Sequence, residues 1–166
     1  MGQALVEFAL VVPIVVLLLA AIVQFAFIFE RQIGIENAVR EAARSAAALP
    51  IDGNTTAGFN ADWAFHRLID SGGLLDSNVQ DYDSLDVQGL SVCFDNGATT
   101  PSGSTQILVT VSVGYTHPLF VPIISGILDG IDGSNDGALR IDTSSVFHVE
   151  NPEDSSVSLV GQVCNS

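Results

Sequence analysis

An uninterrupted apolar run dominates the N-terminal end of the chain. From Phe8 to Phe29 the sequence reads FALVVPIVVLLLAAIVQFAFIF, with Gln24 as its only polar side chain and Pro13 as its only helix breaker. About 20 apolar residues in a helix cross the ~30 Å hydrocarbon core of a bilayer. A secretory signal peptide usually has only about 7–15 apolar residues before a small-residue cleavage site. The run therefore predicts a membrane-spanning helix rather than a signal peptide.

The residues after the run continue in a helical pattern. Glu36 and Arg40 have the four-residue spacing and order that favour an ion pair on a helix. Pro50 is the first residue that would stop the helix. We therefore predict one helix from about Gln3 to Leu49, with 3–29 in the membrane and 30–49 beyond it. Residues 30–49 carry one apolar stripe, which comprises Ile35, Ala38, Val39, Ala42, Ala46 and Leu49. This stripe packs either on the chain's own sheet or on a neighbouring helix.

Residues 50–166 are predicted to form one small α+β domain. Residues 50–60 are rich in turn formers and are interpreted as a loop, in which Asn54 begins an N-glycosylation sequon. Residues 61–71 predict a short amphipathic helix that Gly72 and Gly73 end. Residues 74–86 are acidic and turn-prone.

Alternating apolar and polar residues predict an antiparallel sheet in the rest of this domain. The clearest strand is 107–115, and residues 95–105 between it and a strand at 87–94 predict a hairpin with a long loop. Further strands are predicted at 138–150 and 157–164. The predicted fold is α+β: a long N-terminal helix that continues into a small domain with an antiparallel sheet.

Two segments between the strands leave alternatives open. The apolar segment 117–128 contains Pro118 and Pro122 and is too short to span a bilayer. It lies along the membrane surface, docks under the sheet or contacts another subunit. The next segment, 129–137, is predicted to be a loop whose oxygen ligands offer a weak calcium site, although the spacing is not that of an EF-hand; these ligands are Asp129, Asp132 and Asp136.

Charge and cysteine content restrict the partners and the compartment. The 166 residues include 19 acidic residues and only five basic ones, which gives a formal net charge of −14. Such a surface argues against nucleic acid and anionic lipid as partners. Cys93 and Cys164 are the only cysteines, and they are compatible either with one disulfide in an oxidising compartment or with two unpaired buried thiols.

Motifs that carry enzyme chemistry are missing from the sequence. It has no G-x-S-x-G, phosphate-binding loop, H-E-x-x-H or C-x-x-C motif. The three histidines have no repeated spacing, and they are His66, His117 and His148. We therefore predict that the chain is not an enzyme and has no cofactor apart from the weak calcium possibility.

The extreme N-terminus resembles the processing site of type IV pilin-like proteins. The sequence GQALVEFALVVPIVVLLL begins at Gly2, has Glu7 and Phe8 at its start and contains Pro13. It is similar in particular to the TadE/TadG-like pseudopilins of tight-adherence (Tad, Flp-type) pilus systems. Residues 139–146, LRIDTSSV, also resemble the last strand of TadE-like domains.

The resemblance implies a pilin-like fold, a processing step and an assembly role. A prepilin peptidase would cut after Gly2, so that residues 1–2 are the remnant of a leader, Gln3 becomes the N-terminus and Glu7 is the fifth mature residue. The helix, with Glu7, Phe8 and Pro13 as assembly residues, would then polymerise. The implied partners are that peptidase, other pilin-like subunits in a homo- or heteropolymer, the membrane and an inner-membrane assembly platform, with no nucleic acid.

Topology and function each have a competing interpretation. Arg31, Arg40 and Arg44 follow the apolar run, and a count of basic residues would place the C-terminal part in the cytoplasm. The resemblance implies the opposite: a cytoplasmic N-terminus and an extracytoplasmic domain, which reaches the cell surface in the assembled pilus. The competing function is a single-pass, membrane-tethered envelope binding domain that does not polymerise.

Overall fold

The computed structural model describes residues 3–69, 89–99, 101, 105–133, 137–150 and 157–165. Its helices are α1 (Gln3–Ala47), α2 (Asn54–Ile69) and α3 (Pro122–Asp132), and its strands are β1 (Ser91–Thr99), β2 (Thr105–Pro118), β3 (Ala138–His148) and β4 (Val163–Asn165). The chain divides into two compact units. The first contains Met1–Ile33 and His117–Arg140, and the second contains Gly34–Thr116 and Ile141–Ser166.

Helix α1 is continuous from the apolar run into the second unit, as predicted. It ends at Ala47, three residues before Pro50, and its last turns tighten through a bond from the Leu49 amide to the Ala46 carbonyl (3.2 Å). The Glu150 amide donates to the Ala47 carbonyl at 3.1 Å, which satisfies one of the acceptors that a helix end leaves open. Arg40 and Glu36 form the expected ion pair at 3.3 Å.

The sheet is antiparallel and has the strand order β3-β2-β1-β4. The β1–β2 hairpin pairs Ser91 with Ser112 and Phe94 with Val109. One face of β2 is buried as its alternation predicted, and this face comprises Ile107, Val109, Val111, Val113 and Tyr115. Strand β3 also follows the predicted alternation, with half-buried and exposed residues in turn.

The core of the second unit lies between the sheet, α2 and the alanine-rich stripe of α1. The stripe packs in the chain's own core, because its members from Ile35 to Ala46 are buried with Phe94 and Leu68. Alanine at these positions permits close helix approach while larger side chains from the sheet fill the volume. The predicted stripe holds except at Leu49, which is only half-buried.

Four segment predictions were wrong, and long-range hydrogen bonds of asparagine side chains explain three of them. Helix α2 begins at Asn54 rather than at 61, because the Asn54 amide group bonds both main-chain groups of Val160 (2.9 and 3.1 Å) and Thr56 donates to Asp52. The fourth strand is only Val163–Asn165, since residues 159 and 160 bond to asparagine side chains and Gly161 has a φ of +78°.

Strand β1 extends through residues that were predicted to form the turn. Asn96 holds Leu159 through two hydrogen bonds, at 2.7 and 2.9 Å, and the pairing shifts register between Asn96 and Thr99. A Cβ atom on Gly97 would lie 2.9 Å from Cγ of Leu108, so a larger residue here would have to displace that side chain, and glycine permits the close strand approach. Residues 87 and 88 of the predicted strand lie outside the described residues.

The segment 129–137 is also different from its prediction. Helix α3 continues through residue 132, so the predicted loop begins only at Gly133, where φ is +77°. Pro122 opens this helix, and proline is favoured at a first helical position because the amide there needs no helical acceptor. Two of the three candidate calcium ligands, Asp129 and Asp132, are therefore helical, and Asp136 lies outside the described residues.

Candidate functional site

The N-terminal part of α1 presents an apolar surface that the described residues leave uncovered. Every side chain from Gln3 to Leu19 is exposed except that of Val12, which is half-buried. The helix contains an 18-residue window with a mean hydropathy of 2.9, none of which is buried, and it is long and apolar enough to cross a membrane. A helix that is apolar on all sides requires lipid or other protein around it.

Pro13 lies inside this surface without ending the helix. Proline has no amide hydrogen, so the helical acceptor four residues earlier, the carbonyl of Ala9, loses its usual donor. Neighbouring helices can supply donors to such a carbonyl inside a membrane. Phe8, which precedes this turn, is 66% exposed and is available to an external partner.

Glu7 is the only charged side chain in residues 1–29. It accepts a hydrogen bond from Nε2 of Gln3 at 3.2 Å, and this exposed contact within one helix supplies no charge. The first basic residue of the sequence is Arg31, which is about 36 Å away along the helix at the rise of about 1.5 Å per residue. Gly2, the predicted processing residue, lies outside the described residues.

Gln24 has a role that the sequence analysis did not identify. It is fully buried in the first unit, where its Oε1 atom accepts a hydrogen bond from the Val121 amide at 2.9 Å. Phe27 and Phe120 meet edge to face with ring centroids 6.2 Å apart. The segment before α3 is thereby attached to α1. The sequence contains one indication of this role, because Gln24 is the only side-chain amide in the apolar run.

His117 is the first residue of the second stretch of the same unit, and it is buried. Burial lowers the pKa of its imidazole, and the nearby Arg31 guanidinium lowers it further. The neutral ring is therefore favoured in the folded chain, whereas an unfolded histidine titrates near 6.5. Because the pKa of His117 is lower in the folded chain, the buried neutral ring contributes its full stability above about pH 6.5. This contribution is lost as the pH falls towards the folded pKa.

Acidification is expected to loosen the attachment of residues 117–133. Lowering the pH from about 7.5 to about 5.5 crosses the unfolded histidine pKa and should increase amide hydrogen exchange in this segment after correction for the intrinsic rate. His117→Gln should remove most of this increase, while the control His66→Gln, at an exposed position of α2, should retain it. An unchanged pH response in His117→Gln would contradict this account.

A disulfide joins Cys93 to Cys164 and attaches the C-terminal segment to the sheet. The two residues are direct cross-strand partners on β1 and β4, with their Cα atoms 4.1 Å apart. Asn165 also donates to Asp62 of α2 at 2.8 Å. In the part of the chain that the structure describes, no group of three His, Cys, Asp or Glu residues is placed to bind a metal.

Comparison with known proteins gave one match. The sequence model of the family described as TadE-like protein matches residues 2–44, about a quarter of the chain, and this range nearly coincides with α1. Searches of curated proteins and of solved structures gave no match. The N-terminal helix is therefore similar to that of TadE-like proteins, which confirms the predicted resemblance over residues 2–44.

Proposed function

We propose that this protein is a pilin-like structural subunit, minor or major, of a Tad or type IV-like pilus. A prepilin peptidase cuts it after Gly2, and its N-terminal helix then carries it into the filament. The observation that carries the proposal is the combination in α1 of a TadE-like sequence, an uncovered apolar surface and a single carboxylate, Glu7.

Packing of neighbouring α1 helices accounts for the apolar surface. In the membrane, lipid surrounds the apolar side chains from Phe8 to Leu19; in a filament, the same side chains of other subunits replace the lipid. Transfer between these two apolar surroundings costs little hydrophobic free energy, so packing and polar contacts decide the association. The free carbonyl at the Pro13 turn and the exposed ring of Phe8 are then contacts for a neighbouring helix.

Glu7 sets the axial register of one subunit against the next in this proposal. A carboxylate enclosed by apolar helices requires a positive partner or must take up a proton. The chain has no basic side chain before Arg31, so the α-amino group of a mature Gln3 is the cation available at this depth. Processing after Gly2 creates that group, and the neighbouring subunit's amine pairs with Glu7.

The disulfide supports an extracytoplasmic position of the second unit. Disulfides persist in oxidising compartments and are rare in the cytosol. We therefore place the N-terminus in the cytoplasm and the domain outside, against the count of basic residues. The partners are the peptidase, other pilin-like subunits and an inner-membrane assembly platform. The protein acts as a structural component without enzyme activity, cofactor or nucleic acid.

The competing function is a membrane-tethered binding domain that does not polymerise. Shearing of the producing cells, followed by fractionation by size, distinguishes the two. A filament subunit is recovered in sheared material of high molecular mass, together with a pool in the inner membrane. A tether is recovered with the membranes alone, and that distribution would contradict the filament proposal.

A further inference from the structure

The segment 119–128, which leads into α3, is attached to α1 through Phe120 and Val121, at a depth that the membrane occupies. The apolar run 8–29 is about 33 Å long at the helical rise of about 1.5 Å per residue, which barely exceeds the ~30 Å hydrocarbon core. Glu7 and Glu30 limit it at both ends. The run can therefore shift only a little along the membrane normal. Measured along the helix, Gln24 lies about 8 Å from the end of the run at Phe29.

The attached segment must then share this depth. The Val121 amide is bonded to Gln24 and the Phe120 ring contacts that of Phe27, so both residues lie beside the last two turns of the run. If these turns were outside the bilayer, only residues 8–23 would remain, about 24 Å of helix, which is shorter than the hydrocarbon core.

Several polar groups of this segment's backbone already have partners within the same unit. Irregular backbone is tolerated at membrane depth only where its polar groups have partners. The Val121 amide has its acceptor in Gln24, and the Leu119 amide donates to the Gly137 carbonyl at 2.9 Å. The next amides enter helix α3, where those of Ile124 and Ser125 already bond the Val121 carbonyl.

The outer surface of the segment is apolar and uncharged. Phe120 is 56% exposed and Ile127 is 60% exposed, and residues 117–128 contain no acidic or basic side chain other than His117. The chain as a whole carries a net charge of −14, so this lack of charge is local. Residues 119–128 themselves offer no basic partner to an anionic headgroup, so we assign their contact to the acyl chains.

We propose that residues 119–128 form a second membrane-contacting element, which enters the extracytoplasmic leaflet beside α1 and covers Gln24 from lipid. Its occupant is the hydrocarbon of a phospholipid bilayer. The element stabilises the depth of α1 in the membrane before assembly. This inference rests on the membrane anchoring in the proposed function, and it does not depend on polymerisation.

The test is depth-dependent fluorescence quenching in vesicles of zwitterionic phosphatidylcholine with brominated acyl chains. The full-length protein carries Trp63→Phe, which removes its only tryptophan, and receives one new tryptophan as a probe. Phe120→Trp and Ile127→Trp report on the element. Leu18→Trp, 57% exposed on α1, is the membrane reference, and Phe59→Trp, 69% exposed on α2, is the solvent control.

We expect quenching at positions 120 and 127 that approaches the quenching at position 18, with greater loss for bromine placed near the headgroups than near the bilayer centre. Position 59 should be unaffected. The inference is overturned if position 18 is quenched and positions 120 and 127 behave like position 59. Absence of quenching at position 18 would instead remove the membrane anchoring itself.

Discussion

Glu7→Ala is expected to abolish incorporation into surface filaments while the protein continues to accumulate in the membrane. The substitution leaves the neighbouring subunit's amine without a counter-charge between packed apolar helices. Loss of one partner of a buried ion pair costs about 3–5 kcal/mol, which corresponds to about 10²- to 4 × 10³-fold weaker association per contact at about 1.4 kcal/mol per tenfold. Because each incorporated copy needs this contact, the variant should be nearly absent from filaments rather than slightly depleted.

The measurement is the amount of protein in sheared surface material relative to the membrane pool, for Glu7→Ala and the closer isostere Glu7→Gln. Both variants should retain cleavage after Gly2, because Gly2 is unchanged. Glu30→Gln is the matched control, since it removes the exposed carboxylate at the other end of the apolar run. Assembly of both Glu7 variants at the wild-type level would exclude Glu7 as the register element and favour the membrane tether.

The second large effect is expected from the Cys93→Ser/Cys164→Ser double variant. The disulfide closes a loop with a sequence separation of 71 residues. By the chain-entropy relation, this cross-link contributes about 4 kcal/mol. A domain of this size has a total stability of only about 5–15 kcal/mol, so the variant should lose a large part of it.

Urea unfolding of the detergent-solubilised protein, followed by the fluorescence of Trp63, measures this loss. The probe is suitable because Trp63 lies on α2, which packs against the core of the second unit. Reduction of the wild type should lower its midpoint as the double substitution does, and reduction should not change the double variant. Two free thiols in freshly exported wild-type protein would contradict the pairing. In that case, reduction before alkylation would leave the mass of the alkylated protein unchanged.

Regular periodicity made part of this fold predictable. The buried stripe of α1 and the buried face of β2 follow directly from the spacing of their apolar residues, because one packed surface decides each pattern. The alternation of β3 was also confirmed. These elements establish the α+β architecture without any long-range information.

Three amide side chains account for much of what the sequence could not predict. Asn54 and Asn96 bond the main chain of Val160 and Leu159, more than 60 residues away. As a result, one predicted loop is the start of α2 and another extends β1. The predicted strand that contains residues 159 and 160 is largely irregular. Gln24 bonds Val121 across 97 positions. Such contacts have no local period, so composition predicts a turn or an isolated polar residue instead.

The mature N-terminus of the protein in sheared surface material tests the central claim most directly. Intact-mass and N-terminal peptide mass spectrometry should show a chain that begins at Gln3, which supplies the amine for Glu7. A chain that retains Met1 or Gly2 in most of the surface material would leave Glu7 without its proposed partner and would contradict the account.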